Sequence, residues 1–208
     1  GLIGSGKIAE EYIKIIRSFN HSLSYIYSET NNNNAIRLAK KYNAKLIQNL
    51  NMIKMQTDVD FWIVCTSWNR LRNFFFTFIN INKPVLFEKS LILNLSDFKK
   101  VKKKTNIKSI NKNISFAYNR NYYDYIFFLT SKLNNNKISY GSAYLYDPYK
   151  RLIKNKKISK KYLNIYITSH WISLILKIFK LCKLKIKKII KNDINKNLKF
   201  RKNTFHLT

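Results

Sequence analysis

Short apolar runs separated by helical periodicities fill the first half of the chain. Leu2 and Ile3 run into a turn at Gly4-Ser5-Gly6. Ile8, Tyr12, Ile15, Ile16 and Phe19 then recur at i, i+4, i+7, i+8 and i+11, which predicts one apolar helix face. Residues 23–27 read as a short strand, and Ala35, Leu38, Ala39 and Tyr42 as the inward stripe of a second helix. Lys45-Leu46-Ile47 is a third strand. Asp58-Val59-Asp60 leads into Phe61-Trp62-Ile63-Val64-Cys65-Thr66, a near-continuous apolar run of the kind found in strands buried on both faces. A helix over about residues 71–80 carries Phe74, Phe75 and Phe78 and is stopped by Lys83-Pro84. Val85-Leu86-Phe87 is the next strand, and a basic helix begins near Ser96, a good N-cap residue. This alternation predicts an α/β domain, a Rossmann-type doubly wound parallel sheet over residues 1–113.

From residue 114 the pattern changes. Ile114, Phe116 and Tyr118 alternate as a strand, residues 123–132 read as a helix, and residues 134–136 form an Asn-rich turn. Ser142–Asp147 alternates again. Trp171, Ile172, Ile175, Leu176 and Phe179 build an amphipathic helix, and Leu184, Ile186 and Ile189 suggest a further strand. Residues 114–208 are therefore expected to form an incomplete α+β domain for substrate and oligomerisation.

A length of 208 residues, 46% of them hydrophobic, excludes a disordered chain and allows one or two domains. Cys65 and Cys182 lie far apart with no metal-ligand spacing, which points to a reducing, cytoplasmic setting and to no metal site. No signal peptide opens the chain, and the longest apolar stretch, residues 171–181, is cut by Lys177 and Lys180. The net charge of +30 has two readings. One is a nucleic-acid or anionic-membrane partner held through counterion release. The other is the Lys/Asn/Ile bias of an AT-rich genome acting on neutral surface positions. The lysines are spread over loops, helices and strands, with no Arg-rich arm and no RNA-binding motif, so the expectation is bias and no nucleic-acid partner.

The glycine turn carries the first candidate chemistry. Gly4, Gly6 and Ala9 give G-x-G-x-x-A between a strand and a helix, the fingerprint of a dinucleotide-binding βαβ unit. Gly4 would allow the tight turn, Gly6 the close approach of a pyrophosphate, and Ala9 close packing of helix on sheet. Ser5, Lys7 and Ile8 complete the turn and the first helical residues, whose free N–H groups favour phosphate. An acidic residue roughly 20 positions on would bind the adenosine ribose. Glu29 is near that distance, and Ser28 is the alternative holder of the position. No arginine follows to meet a 2′-phosphate, so the expected cofactor is NAD or NADP with a lean to NAD.

The later motifs, in order, are Thr66-Ser67 closing the buried strand, Lys83-Pro84-Val85-Leu86-Phe87-Glu88-Lys89, Ala117-Tyr118-Asn119-Arg120 and Ser169-His170-Trp171-Ile172. Together with the glycine turn, this order resembles the Gfo/Idh/MocA oxidoreductases, the family of glucose–fructose oxidoreductase and inositol dehydrogenase. The match touches residues 1 to about 190. The resemblance implies hydride transfer between a nicotinamide and a sugar or nucleotide-sugar hydroxyl. It implies Lys89 beside the reacting carbon and His170 as acid/base. A histidine titrates near neutrality and suits the alcohol proton, and a lysine ammonium stabilises a developing alkoxide. Thr66, Ser67, Glu88 and Lys89 are then expected on the cofactor, and Arg120 and Tyr166 on the substrate. Glu88 could instead pair with Lys89, and Arg120 could brace the domain interface.

The chain departs from the family pattern in five places. Ser67 and Ser90 replace prolines, Tyr166 and Ser173 stand where acids are usual, and Leu71 where a histidine is. These departures keep open a non-catalytic relative that binds a nucleotide or a partner. Family members are also much longer, and the first strand is short, so the chain is expected to be incomplete at both ends or the product of a decayed gene. A full-length form would be a candidate homo-oligomer.

Overall fold

A computed structural model describes residues 1–29, 32–91, 95–104, 113–133, 142–147, 160–181, 189–194 and 201–207. Six short strands, β1 (Leu2–Ile3), β2 (Tyr25–Tyr27), β3 (Lys45–Ile47), β4 (Trp62–Val64), β5 (Val85–Phe87) and β6 (Ile114–Phe116), form one sheet in the order 3-2-1-4-5-6. Every neighbouring pair is parallel. This is the strand order of dinucleotide-binding doubly wound folds, with its switch point between β1 and β4.

The register explains why such short strands hold. Leu2 lies level with Ile26 and Ile63, and Ile3 with Tyr27 and Val64. Successive strand side chains point to opposite faces, so each level buries a row on one side of the sheet. On the Leu2 side, α1 (Lys7–Ser18) contributes Ala9, Ile13 and Ile16, and α2 (Asn33–Tyr42) contributes Ala35, Leu38 and Ala39. On the Ile3 side, α3 (Leu50–Met55), α4 (Trp68–Phe78) and α5 (Leu95–Lys104) supply Ile53, Leu71, Phe74, Phe75, Phe78 and Val101. Phe87 lies between Phe75, Phe78 and Phe116, with ring centroids 5.9–6.1 Å away.

Three expectations change. The buried stripe of α1 is Ala9, Ile13 and Ile16, with Tyr12 half-buried, whereas Ile8, Ile15 and Phe19 are 50%, 51% and 70% exposed. The helix carries apolar residues on two faces, and the alanine side is the one that can approach the sheet. The short helix α3 had no sequence signal. The strand at Ile114–Phe116 does not open the second domain: it hydrogen-bonds to β5 as the sixth parallel strand, with Ile114 beside Val85 and Phe116 beside Phe87. The first compact unit therefore runs from Gly1 to Ala117, not to residue 113.

The second unit, Tyr118–Thr208, begins with a 3₁₀ turn at Asn119–Tyr122, followed by α6 (Asp124–Leu133) and α7 (Lys160–Leu181). The strands β7 (Ser142–Asp147), β8 (Ile189–Ile194) and β9 (Arg201–Leu207) form an antiparallel sheet in the order 7-9-8. The helix α7 is fastened to the 3₁₀ turn by polar and ring contacts. Asn121 donates to Ser173 Oγ at 2.9 Å, Lys177 donates to the Asn121 carbonyl at 2.5 Å, and the Lys177 ammonium lies 5.1 Å from the Tyr122 ring centre. The Asn-rich turn at residues 134–136, the pattern at Leu184 and Ile186, and Cys182 lie outside the described residues. No described helix is long and apolar enough to cross a membrane.

The two isoleucines of α1 separate the observed face from the expected one. Ile13→Ala is expected to lower the unfolding free energy by about 2–5 kcal/mol. Ile15→Ala is expected to change it by less than about 0.5 kcal/mol. Urea unfolding followed by circular dichroism distinguishes the two, and equal losses would contradict the packing described.

Candidate functional site

The loops that leave the carboxyl ends of β1, β2 and β4 meet in a cleft at the switch point. Its described lining is Ile3, Gly4, Ser5, Gly6, Tyr27, Ser28, Glu29, Asn32, Cys65, Thr66, Ser67, Arg70 and Phe74. Gly4 adopts φ +110°, and its N–H donates to the Tyr27 carbonyl at 3.2 Å. A Cβ on Gly4 would lie 2.8 Å from the Cys65 carbonyl oxygen, so only glycine fits between the two loops. Gly6 is different. It is the N-cap of α1 in an extended conformation, and a Cβ there would meet no atom of the described residues within 4 Å. Among the described residues no packing contact requires a glycine at Gly6, and its bare backbone lies on the cleft.

Asn32 ties the loops together. Its Oδ1 caps α2 by accepting from the Ala35 N–H at 2.7 Å and also accepts from Ser5 Oγ at 3.0 Å. Its Nδ2 donates to Ser28 Oγ at 2.7 Å. One side chain therefore joins the loop after β1, the end of β2 and the start of α2. Asn32 stands in a run of four asparagines, residues 31–34, and the signal for it in the sequence is an Asn close before an apolar-periodic helix.

Ser28 is buried and Glu29 is exposed at the rim. Glu29 pairs with Arg70, which rises from α4 on the far side of the cleft. This arginine is supplied across the switch point by α4 and not by the segment that follows Glu29 in the sequence. Thr66 and Ser67 line the cleft at the end of β4, and the Ser67 carbonyl accepts the N–H groups of Arg70 and Leu71 at 2.9 and 3.2 Å. Leu71 is fully buried among the phenylalanines of α4, so this position faces the core and not the cleft. Lys7 and Ile8 do not line the cleft with their exposed side chains. What they offer is backbone N–H groups in the first turn of α1, which lack partners within the helix.

Glu88 and Lys89 leave β5, one strand beyond β4 on the same sheet edge. The Tyr12 hydroxyl donates to Glu88 Oε1 at 2.6 Å, and the Lys89 N–H donates to Oε2 at 3.3 Å. Burial and then this hydrogen bond push the Tyr12 phenol well above its usual range, so it remains a donor that fixes the carboxylate. Lys89 is half-buried, and its peptide to the buried Ser90 is cis. Cys65 is an inert neighbour: its Sγ donates to the Ile3 carbonyl at 3.4 Å, and burial pushes the thiol up to about 12.

The remaining candidates belong to the second unit. His170 is 9% exposed on α7, edge-on to Tyr118 at 6.0 Å. The Arg120 guanidinium lies 3.8 Å over the Trp171 ring. Arg120 Nη1, Asn121 Oδ1 and Trp171 Nε1 are buried without a hydrogen-bond partner among the described residues. Ser173, where the family has an acid, accepts the Asn121 hydrogen bond. Tyr166 lies on α7, and its side chain is outside the described residues.

The family model of the Gfo/Idh/MocA oxidoreductases, described as having an NAD-binding Rossmann fold, matches residues 1–110. No curated protein matches the sequence. Solved structures share the fold at low identity. The WlbA (WbpB) dehydrogenase from Thermus thermophilus, in complex with NAD and UDP-GlcNAcA, superposes with a TM-score of 0.68 at 15% identity. That match covers 92% of this chain and 64% of the other. The myo-inositol dehydrogenase from Lactobacillus casei, in complex with NAD(H) and myo-inositol, gives 0.72 at 18% identity, covering 94% and 57%. A probable dehydrogenase from Thermotoga maritima gives 0.72 at 17% identity, covering 94% and 59%. The chain thus spans less than two thirds of the length of these proteins.

The two glycines of the turn are predicted to respond differently to alanine. Gly4→Ala should destabilise the fold by about 1–3 kcal/mol, through its positive φ and the clash with Cys65. Gly6→Ala should leave stability within about 0.5 kcal/mol of the wild type. Chemical denaturation of both variants checks the pair.

Proposed function

The chain belongs to the Gfo/Idh/MocA family of oxidoreductases, and from that premise we propose that it binds a nicotinamide dinucleotide in the β1–β4 cleft and transfers hydride to or from a sugar-like hydroxyl. The observation that carries the reading is Gly6. The chain's own packing asks for a glycine at Gly4 but not at Gly6, and a diphosphate lying against bare backbone supplies the missing reason.

When bound, the nicotinamide supplies the hydride acceptor or donor. The chain's residues do the rest. The first N–H groups of α1, from Lys7 and Ile8, together with Ser5, receive the diphosphate. Ser28 and Glu29 face the adenosine ribose, and Thr66 and Ser67 form the wall beyond it. Glu88, held by Tyr12, fixes the segment that carries Lys89. The Lys89 ammonium would stabilise negative charge on a substrate oxygen, and His170, in the second unit, is the acid/base that the family resemblance implies. Arg120 and Tyr166 serve the substrate. The buried and unpartnered Arg120 Nη1, Trp171 Nε1 and Asn121 Oδ1 provide two donors and an acceptor, which suits a ligand rich in hydroxyls. Two structural neighbours were crystallised with such ligands, UDP-GlcNAcA and myo-inositol.

NAD or NADP at millimolar concentration is expected to raise the melting temperature of the chain, and no shift with either would defeat the proposal. Gly6→Ala should weaken that binding by about tenfold or more. Lys89→Ala should keep cofactor binding within about threefold while abolishing turnover in a preparation that shows it. Turnover surviving that substitution would remove Lys89 from the chemistry.

A further inference from the structure

Glu29 and Arg70 are the charged residues among those lining the cleft, and they face each other as an ion pair. An unpaired carboxylate at the end of β2 accepts the ribose hydroxyls and repels a 2′-phosphate. Here that carboxylate is neutralised. The two side chains are 41% and 45% exposed, so their pairing is of the weak, solvent-screened kind that a ligand can displace. Arg70 is permanently charged, and its planar fork matches two phosphate oxygens. Its place is fixed from below. Leu71 is anchored in the aromatic core, and the Arg70 N–H donates to the Ser67 carbonyl at 2.9 Å. On the β2 side, Ser28 is held by Asn32 and presents a hydroxyl to the same end of the cleft.

We infer that the Glu29–Arg70 pair sets cofactor choice in this chain and that it does so permissively: the Arg70 guanidinium shares its fork between Glu29 and a 2′-phosphate, screening the carboxylate as it holds the phosphate, so NADP is accepted alongside NAD. The inference rests on the dinucleotide reading above. It assigns the discriminating residue to α4, 41 positions after Glu29 in the sequence. Glu29 takes the ribose hydroxyls of NAD, and Arg70 takes the phosphate of NADP. Removing either partner therefore biases the site in opposite directions.

The test is calorimetric titration of the full chain with NAD+ and NADP+, which differ only at the 2′ position. The wild type is expected to bind both within about tenfold of each other. Arg70→Gln should weaken NADP+ by about tenfold or more and NAD+ by less than about threefold. Glu29→Gln should strengthen NADP+ relative to NAD+, and Arg70→Lys should restore part of the NADP+ affinity. NADP+ binding should also fall more steeply with added salt than NAD+ binding. Wild-type binding of NAD+ without NADP+, or an unchanged ratio in Arg70→Gln, overturns the inference while leaving the dinucleotide reading intact. Binding of neither cofactor overturns both.

Discussion

The backbone leaving β1 passes so close to the backbone leaving β4 that no side chain fits between them. A Cβ at Gly4 would sit 2.8 Å from the Cys65 carbonyl. The contact joins the two central strands of the sheet at the point where the chain path reverses. From it, α1 departs to one face and α4 to the other, and the divergence opens the cleft. The position of the α1 N-terminus is therefore set by strand packing. So is the position of Ser67 and Arg70 at the start of α4. Asn32 adds a second constraint, because its three hydrogen bonds hold the β2 side of the cleft to the β1 loop. The site is built from rigid elements, and its loops are short because the sheet leaves them little distance to cover.

The two faces of the sheet are unlike, and the difference serves the cleft. The Leu2 face is lined by Ala9, Ala35 and Ala39 with aliphatic residues, so α1 and α2 can lie close to the strands. The Ile3 face is aromatic: Trp62, Phe74, Phe75, Phe78 and Phe87 pack with Tyr27 into one cluster. Edge-on and tilted ring pairs add specificity to that burial. The burial of Leu71 in this cluster decides where Arg70 goes. Neighbouring helix positions lie about 100° apart, so a leucine turned to the core sends the preceding arginine toward the rim. The leucine that replaces the family's histidine is in this sense part of the scaffold that presents Arg70.

The strands were legible because a strand buried on both faces has to be an apolar run, and Phe61 to Thr66 is one. The glycine turn was legible because its spacing has a mechanism. What escaped the sequence was whatever depends on contact between distant segments. Ile8, Ile15 and Phe19 satisfy a helical period, yet they are exposed. Periodicity reports a stripe and cannot say which of two stripes meets a sheet. Ile114 and Phe116 alternate like the first strand of a new domain, but pairing with β5 makes them the last strand of the old one. Asn32 was hidden by the asparagines around it, and Arg70 by its distance from Glu29. The glycine spacing also could not show that its two glycines differ in their surroundings. A Cβ at Gly4 would meet the Cys65 carbonyl, and one at Gly6 would meet no described atom within 4 Å.

The charge of +30 concealed the lysine of greatest interest, and burial separates it from the rest. In the first unit the described lysines are exposed, with two exceptions. On α5, Lys99, Lys100, Lys102 and Lys103 face solvent while Asp97 and Val101 face inward. That is the pattern of a solvated helix face, with its charges outside the core. Lys83 is half-buried, and its ammonium donates to the Thr57 carbonyl at 3.0 Å, a local structural tie. Lys89 is the other. It stands half-buried on the carboxyl edge of the sheet, beside a glutamate whose orientation is fixed by Tyr12. Partly burying a lysine carries a desolvation cost that an exposed position avoids. A chain this rich in exposed lysine has no need to bury one for its charge. The half-burial of Lys89 at the carboxyl edge of the sheet therefore sets it apart from the exposed basic surface.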